Sequence, residues 1–96
     1  MMGLNICIVR EGQNGERIEH PQWDSLRMGG DRDIPSLLTV NRQFGHPYDF
    51  EFWGRPEDPA KMRAELDRLN QGDNSSRWRQ LEEILTDPNW WVYVSV

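Results

Sequence analysis

The segment at residues 90–96, WWVYVSV, constrains the fold more strongly than any other part of the chain. Its residues alternate as in a β-strand, where successive side chains point to opposite faces of the sheet. One face would carry Trp90, Val92, Val94 and Val96, and the other would carry Trp91, Tyr93 and Ser95. Because large side chains lie on both faces, helices packed on one side would leave aromatic rings to be covered on the other.

A β-hairpin is predicted at the start of the chain. Residues 4–9 (LNICIV) are apolar and rich in β-branched side chains, as strands are. Asn14-Gly15 is the strongest short signal for a hairpin turn, and it places the return strand at residues 16–20.

A middle strand is predicted at residues 48–53 (YDFEFW), where aromatic and acidic residues alternate. The alternation puts Tyr48, Phe50 and Phe52 on one face and Asp49, Glu51 and Trp53 on the other. We expect the first three to face the core, so that Trp53 shares its face with two carboxylates.

Two helices are predicted between the middle strand and the last strand. Glu57-Asp58-Pro59 supplies a cap and a proline at a helix start, and Gly72 ends this helix. The second helix begins near Asn74 or Ser75, with either side chain as its cap, and stops at Asp87-Pro88. The buried positions are Met62, Leu66 and Leu69 in the first helix and Trp78, Leu81, Ile84 and Leu85 in the second.

These elements predict one α+β domain over residues 1–96, with a small antiparallel or mixed sheet. The sheet combines the N-terminal hairpin, the middle strand and the C-terminal strand, and an antiparallel helix pair covers one face. Residues 20–45 show no sustained period and are expected to form an ordered irregular segment. Within it, Asp33 is a candidate cap for a short helix that carries Leu37 and Leu38.

Composition excludes several classes of function. The single cysteine allows neither an intrachain disulfide nor a cysteine-based zinc site, and it fits a reducing, cytoplasmic compartment. The net charge of −5, with no basic stripe, argues against direct nucleic-acid binding. No apolar run is long enough to span a membrane.

The face opposite the helices is the first candidate site, formed by Trp53, Trp91, Tyr93, Asp49 and Glu51. Two interpretations remain open. The irregular segment, with Trp23, Leu26 and Met28, folds across this face and covers it, or the face stays partly open as a protein-binding surface. Flanking acids would then select a partner with a basic surface. A homodimer joined through this face is a further option, since one sheet edge is also open.

The second candidate site is a polar cluster in the irregular segment, formed by His20, Trp23, Asp24, Arg27, Asp31, Arg32 and Asp33. One interpretation is an Arg–Asp network that pins a long loop. An alternative function is the binding of a nucleotide-like anion through Arg27, Arg32 and stacked Trp residues. A hydrolase or nuclease centred on His20 and the aspartates ranks last, because no catalytic motif is present. We therefore predict no catalytic residues, no metal and no cofactor.

The pieces MGLNI, WDSLRMGGDRD and LEEILTDPNWWVYVS resemble small uncharacterised proteins of phages and of GC-rich bacteria, over about half the chain. The resemblance implies a compact cytoplasmic protein from a phage or mobile element and transfers no catalytic residue. Short acidic phage proteins are often antagonists of host defence, such as anti-CRISPR proteins. The resulting hypothesis is a non-enzymatic protein-binding module, a phage-encoded inhibitor of a host defence or nucleic-acid-processing protein.

Overall fold

A computed structural model of the chain describes residues 4–23, 26–28, 33–43 and 51–95. Within these ranges the chain forms six strands and three helices. In chain order they are β1 (Leu4–Glu11), β2 (Arg17–Glu19), β3 (Leu26–Met28), α1 (Asp33–Ser36), β4 (Val40–Gln43), β5 (Glu51–Arg55), α2 (Pro59–Leu69), α3 (Ser75–Leu85) and β6 (Trp91–Ser95). The predicted α+β class, with a helix pair against one sheet, is confirmed.

The strands form one sheet in the order β2-β1-β6-β5-β4, and every described pairing is antiparallel. Strand β3 also pairs with β1, on the same edge as β2: β3 pairs with the first residues of β1 and β2 with the last. Strand β6 lies between β1 and β5, so its backbone is hydrogen-bonded on both sides. The C-terminal strand is therefore a central strand, which explains why both of its faces need large side chains.

The predicted N-terminal hairpin is confirmed, with its return strand beginning at Arg17. The Gly12 N–H donates to the carbonyl of Glu16 at 2.8 Å, and the Gly15 N–H donates to the carbonyl of Gly12 at 3.1 Å. Gly15 has a φ of 79°, a left-handed conformation that a glycine adopts without steric cost. The Asn14-Gly15 signal thus marks the turn for a physical reason.

The other two predicted strands have different bounds in the described part of the chain. The middle strand is β5, which is described from Glu51 and continues to Arg55, two residues past the predicted end, and residues 48–50 lie outside the described part. The last strand begins at Trp91 because Trp90 belongs to the turn that follows α3, where its N–H donates to the carbonyl of Asp87 at 3.2 Å.

Helix α2 begins as predicted, and α3 begins differently. The Asp58 carboxylate caps α2 by accepting from the backbone N–H groups of Ala60 and Lys61 at 3.0 and 3.4 Å. The predicted side-chain cap of α3 is wrong: Asn74 has a left-handed φ of 63° and makes no capping hydrogen bond. Ser75 instead donates its hydroxyl to Asp67 at 2.6 Å, which ties the two helices together.

The main core lies between the sheet and the helices. Its sheet residues have the predicted orientation, with Ile6, Ile8, Val92 and Val94 fully buried and Phe52 packed against them. The other buried members are Trp23, Ile34, Leu38, Met62, Leu66, Trp78, Leu81 and Leu85. The alternation of the strands therefore predicted which face meets the helices.

The segment at residues 20–45 is more regular than expected, since it contains β3, α1 and β4. Its predicted role as a cover for the opposite sheet face is wrong for Trp23, which is buried in the helix-side core. The Trp23 indole N–H donates to the carbonyl of Ile6 at 3.4 Å, and the Arg77 guanidinium lies 4.4 Å from its ring. Leu26 and Met28 belong to β3 and extend the sheet beside β1.

Candidate functional site

The sheet face opposite α2 and α3, called the second face below, is built by a cross-strand row. Cys7, Tyr93, Trp53 and Arg42 occupy facing positions on β1, β6, β5 and β4. Residues that face one another across an antiparallel sheet project on the same side, so the register brings the aromatic rings and a guanidinium together. In the next row, Val9 faces Trp91.

The second face carries its own small core. Val9, Trp53 and Tyr93 form a buried cluster, and Cys7 and Trp91 pack against it while half-buried. Trp53 is 4% exposed and Tyr93 is 7% exposed, so these two rings are buried, and any open part of the face lies elsewhere. Trp91 is the predicted aromatic residue that keeps part of its surface accessible.

Two guanidinium groups lie over these rings. The Arg42 guanidinium is 5.4 Å from the centroid of Trp53 and 5.5 Å from that of Trp91. The Arg17 guanidinium is 4.4 Å from the ring of Tyr93. Each such contact is electrostatically attractive, because the face of an aromatic ring is electron-rich. The aromatic face was expected to meet cations of a partner protein. Among the described residues, the chain's own arginines already lie over these rings.

An ion pair crosses the same face. Both terminal nitrogens of Arg42 lie 3.3 Å from one carboxylate oxygen of Glu11, which belongs to β1. The pair therefore spans from β4 to β1 above the rings of the two strands between them. The side chains of Arg42 and Glu11 are 37% and 45% exposed, so both charges remain in contact with solvent.

The acids predicted for this site are not the ones that the structure describes there. Asp49 lies outside the described residues, and Glu51 is described only through its backbone, which faces Ser95. Sequence reasoning missed Glu11, Arg17 and Arg42. A signal existed for the first two, because a hairpin turn at Asn14-Gly15 sets Arg17 opposite Glu11. For Arg42 no signal existed, since β4 was not predicted.

The polar cluster of the irregular segment is described only in part. Asp24, Asp31 and Arg32 lie outside the described residues, and Arg27 and Asp33 are described by backbone alone. Arg27 belongs to β3 and faces Asn5 of β1. His20 accepts the Gln22 N–H through Nδ1 at 3.1 Å and packs edge-on against Trp90, with the ring centroids 4.6 Å apart.

Burial of Trp23 has a direct consequence for the alternative anion site. An indole that is 7% exposed and covered by Arg77 has no free face on which a nucleotide base could stack. The ligand-binding set that includes Trp23 stays a prediction, and its stacking role would require the indole to become uncovered. Within the described ranges, no group of three or more His, Cys, Asp or Glu side chains is placed to hold a metal ion.

Comparisons of the chain with protein-family models, with curated proteins and with solved structures find no match. Of the helices that the structure describes, none has the length and apolar character needed to cross a membrane. Chemically, the second face offers a half-buried indole beside an exposed ion pair, above a layer of buried rings. This combination suits noncovalent recognition of another macromolecule.

Proposed function

We propose that the chain is a non-enzymatic protein-binding module that contacts its partner through the second face. The observation that carries the proposal is the position of Trp91, which is half-buried on the central strand and lies under the Arg42–Glu11 ion pair. Tryptophan and arginine are the residue types that most often dominate binding energy at protein interfaces.

The support beneath Trp91 favours binding as well. Val9 and Tyr93 are buried beside it, and they fix the strand from which the indole projects. A contact residue held in this way loses little conformational entropy when a partner binds. Because β6 is paired on both sides, recognition would proceed through side chains rather than through addition of a strand to β6.

The partner that we propose has a basic surface. The chain carries a net charge of −5, and Glu11 presents a solvent-exposed carboxylate on the second face. The net negative charge would attract a partner's arginine or lysine, whereas the ring faces are already covered by Arg17 and Arg42. Association between opposite charges is accelerated by long-range attraction and slows when salt is added.

The resemblance to phage proteins supports a finer proposal: an inhibitor that acts in the host cytoplasm on a defence or nucleic-acid-processing protein. An acidic module of this kind would occupy the basic groove that normally holds nucleic acid. A homodimer through the second face is the competing arrangement, in which Trp91 of each copy would meet the other.

Affinity capture from a bacterial lysate tests the proposal, with Trp91→Ala as the disrupting variant and Leu69→Ala as the matched control. The predicted burial of Leu69 is wrong: this residue at the end of α2 is 39% exposed, so its removal should leave the partner bound. We expect Trp91→Ala to lower recovery of the partner by about tenfold or more, and Trp91→Phe to restore part of it. Sedimentation of the same variants separates capture of a partner from self-association.

Equal recovery by Trp91→Ala and by the wild-type chain would remove the second face from the interface. Recovery that does not change between low and high salt would remove the basic partner surface from the proposal. Circular dichroism of each variant ensures that a loss of binding is not a loss of fold.

A further inference from the structure

An open groove lies on the helix side of the molecule, between the residues that follow α1 and the start of α2. Its volume is about 710 Å³. Leu37, Pro56 and Met62 provide apolar lining, and Met62 is also part of the helix-side core. A methionine side chain adapts its shape to different apolar ligands, so this lining suits an aliphatic residue of variable shape.

Charged side chains surround this apolar lining, and acids outnumber bases. Glu57, Asp58 and Glu65 contribute three carboxylates, and Lys61 contributes one ammonium group. Glu65 is paired with Arg68, whereas Glu57 and Lys61 make no ion pair with any residue that the structure describes. An incoming cation would therefore meet an exposed carboxylate that has not already been neutralised.

The start of a helix often attracts anions, but here that attraction is already satisfied. The Asp58 carboxylate accepts the N–H groups of Ala60 and Lys61, which are two of the donors that an anion would otherwise use. With those donors occupied, the net charge of the lining, three carboxylates against one ammonium group, favours a cationic ligand.

We infer that this groove binds a segment of a partner protein in which an aliphatic residue is flanked by arginine or lysine. The apolar lining would take the aliphatic side chain, while Glu57 would face a flanking cation. The inference goes beyond the proposed function, because the groove lies on the helix side of the sheet and Trp91 lies on the second face.

A blocked synthetic peptide of alternating arginine and leucine is the probe, and a peptide of alternating glutamate and leucine is its control. Binding is followed through the ¹³C-methyl NMR signal of Met62 during titration. We expect the arginine peptide to shift this signal with a saturable dependence, and the glutamate peptide to leave it in place at concentrations up to about 2 mM.

Two substitutions at exposed positions are expected to change the affinity in opposite directions. A general loss of folding would weaken binding in both variants, so the two effects are distinguished. Glu57→Gln should weaken binding of the arginine peptide by about twofold to fivefold, and Lys61→Gln should strengthen it by a similar factor. Trp91→Ala should leave this affinity unchanged, so failure of the groove and failure of the second face are distinguished.

Four results would overturn the inference, and the first three are no shift of the Met62 methyl signal, tighter binding of the glutamate peptide, and weaker binding after Lys61→Gln. The second would indicate an anionic ligand, and the third would indicate that the ammonium group contributes to binding. A shift that Glu57→Gln does not weaken would leave an apolar groove without the proposed charge preference, which also contradicts the inference.

Discussion

The Arg55 guanidinium donates to the carbonyl oxygen of Leu85 at 2.7 Å and so joins strand β5 to the end of helix α3. It also donates to the carbonyls of Asp87, at 3.1 Å, and Trp90. The last carbonyls of a helix have no partner within the helix, and a planar guanidinium can serve one of them together with carbonyls of the turn that follows. Burial lowers the pKa of Arg55, and the nearby Asp87 carboxylate acts in the opposite direction.

Replacement of Arg55 by methionine should therefore destabilise the protein by about 2–3 kcal/mol, because it removes three acceptor contacts while it keeps an apolar stem. Arg55→Lys should recover only part of the loss, since one ammonium group cannot copy the planar fork. Urea denaturation gives the free energy of unfolding for both variants. The control is Arg68→Met on the exposed side of α2, which should change little. Equal effects at the two arginines would contradict the role assigned to Arg55.

Gly54 provides a second test, because its position on β5 leaves no room for a side chain. A Cβ atom there would lie 2.8 Å from Leu38 Cδ1 and 2.9 Å from Asn41 Oδ1. Gly54→Ala should destabilise the protein by about 1–3 kcal/mol through overpacking. In combination with Leu38→Ala, the added methyl group should cost less than it does alone, and a double-mutant cycle measures this difference. Strict additivity of the two substitutions would show that Leu38 is not the obstacle.

Much of the fold was predictable because its long elements carry strong local signals. Helix α2 has a cap at Asp58 and apolar residues at helical spacing. In β6, aromatic residues alternate with valines from Trp91 to Val94. For these elements, local pattern and tertiary packing agree. The assignment of Trp53, Trp91 and Tyr93 to the face opposite the helices followed from alternation alone, and the register confirms it.

The short strands β3 and β4 could not be predicted in the same way. A strand of three or four residues, such as Leu26–Met28 or Val40–Gln43, is too brief to show a period of two. Their pairing depends on distant partners in β1 and β5. The position of Arg42 over Trp53 and Trp91 depends on that pairing. The local sequence therefore could not predict that a guanidinium lies over these rings.

The contacts of Arg42 on the second face lead to a third prediction. Arg42→Gln removes the guanidinium over Trp53 and Trp91 and also removes the ion pair with Glu11. We expect a loss of about 0.5–1.5 kcal/mol in stability, and a change in the environment of these two indoles. ¹⁹F NMR of the protein labelled with fluorotryptophan resolves each indole, with Trp78 in the helix-side core as the internal reference.

The matched control for this experiment is Arg79→Gln on the exposed surface of α3. This substitution should leave the signals of Trp53 and Trp91 where they are. If Arg42→Gln moves neither signal, or moves that of Trp78 equally, the guanidinium does not lie over the second face as described.

A polar network joins α2 to α3 and predicts how stability depends on pH. Arg63 donates to Glu82 at 2.9 Å and to Asp67 at 3.1 Å, and the Ser75 hydroxyl donates to the other oxygen of Asp67. The hydrogen bond from Ser75 lowers the pKa of Asp67 below its ordinary value, and the pairing with Arg63 lowers it further. The ionised form of Asp67 is thus the form that the folded protein prefers.

Because the pKa of Asp67 is lower in the folded state than in the unfolded state, its contribution to stability is present above the unfolded pKa of about 4. It is lost as the pH falls from there through the lower, folded pKa. We therefore expect Asp67→Asn to be less stable than the wild-type chain at pH 7, with the difference shrinking in acid. Urea denaturation at a series of pH values measures it, with Asp73→Asn, an exposed residue of the turn between the helices, as the control. A difference between Asp67→Asn and wild type that stays constant from pH 7 to pH 2 would show that the network does not depend on the ionisation of Asp67.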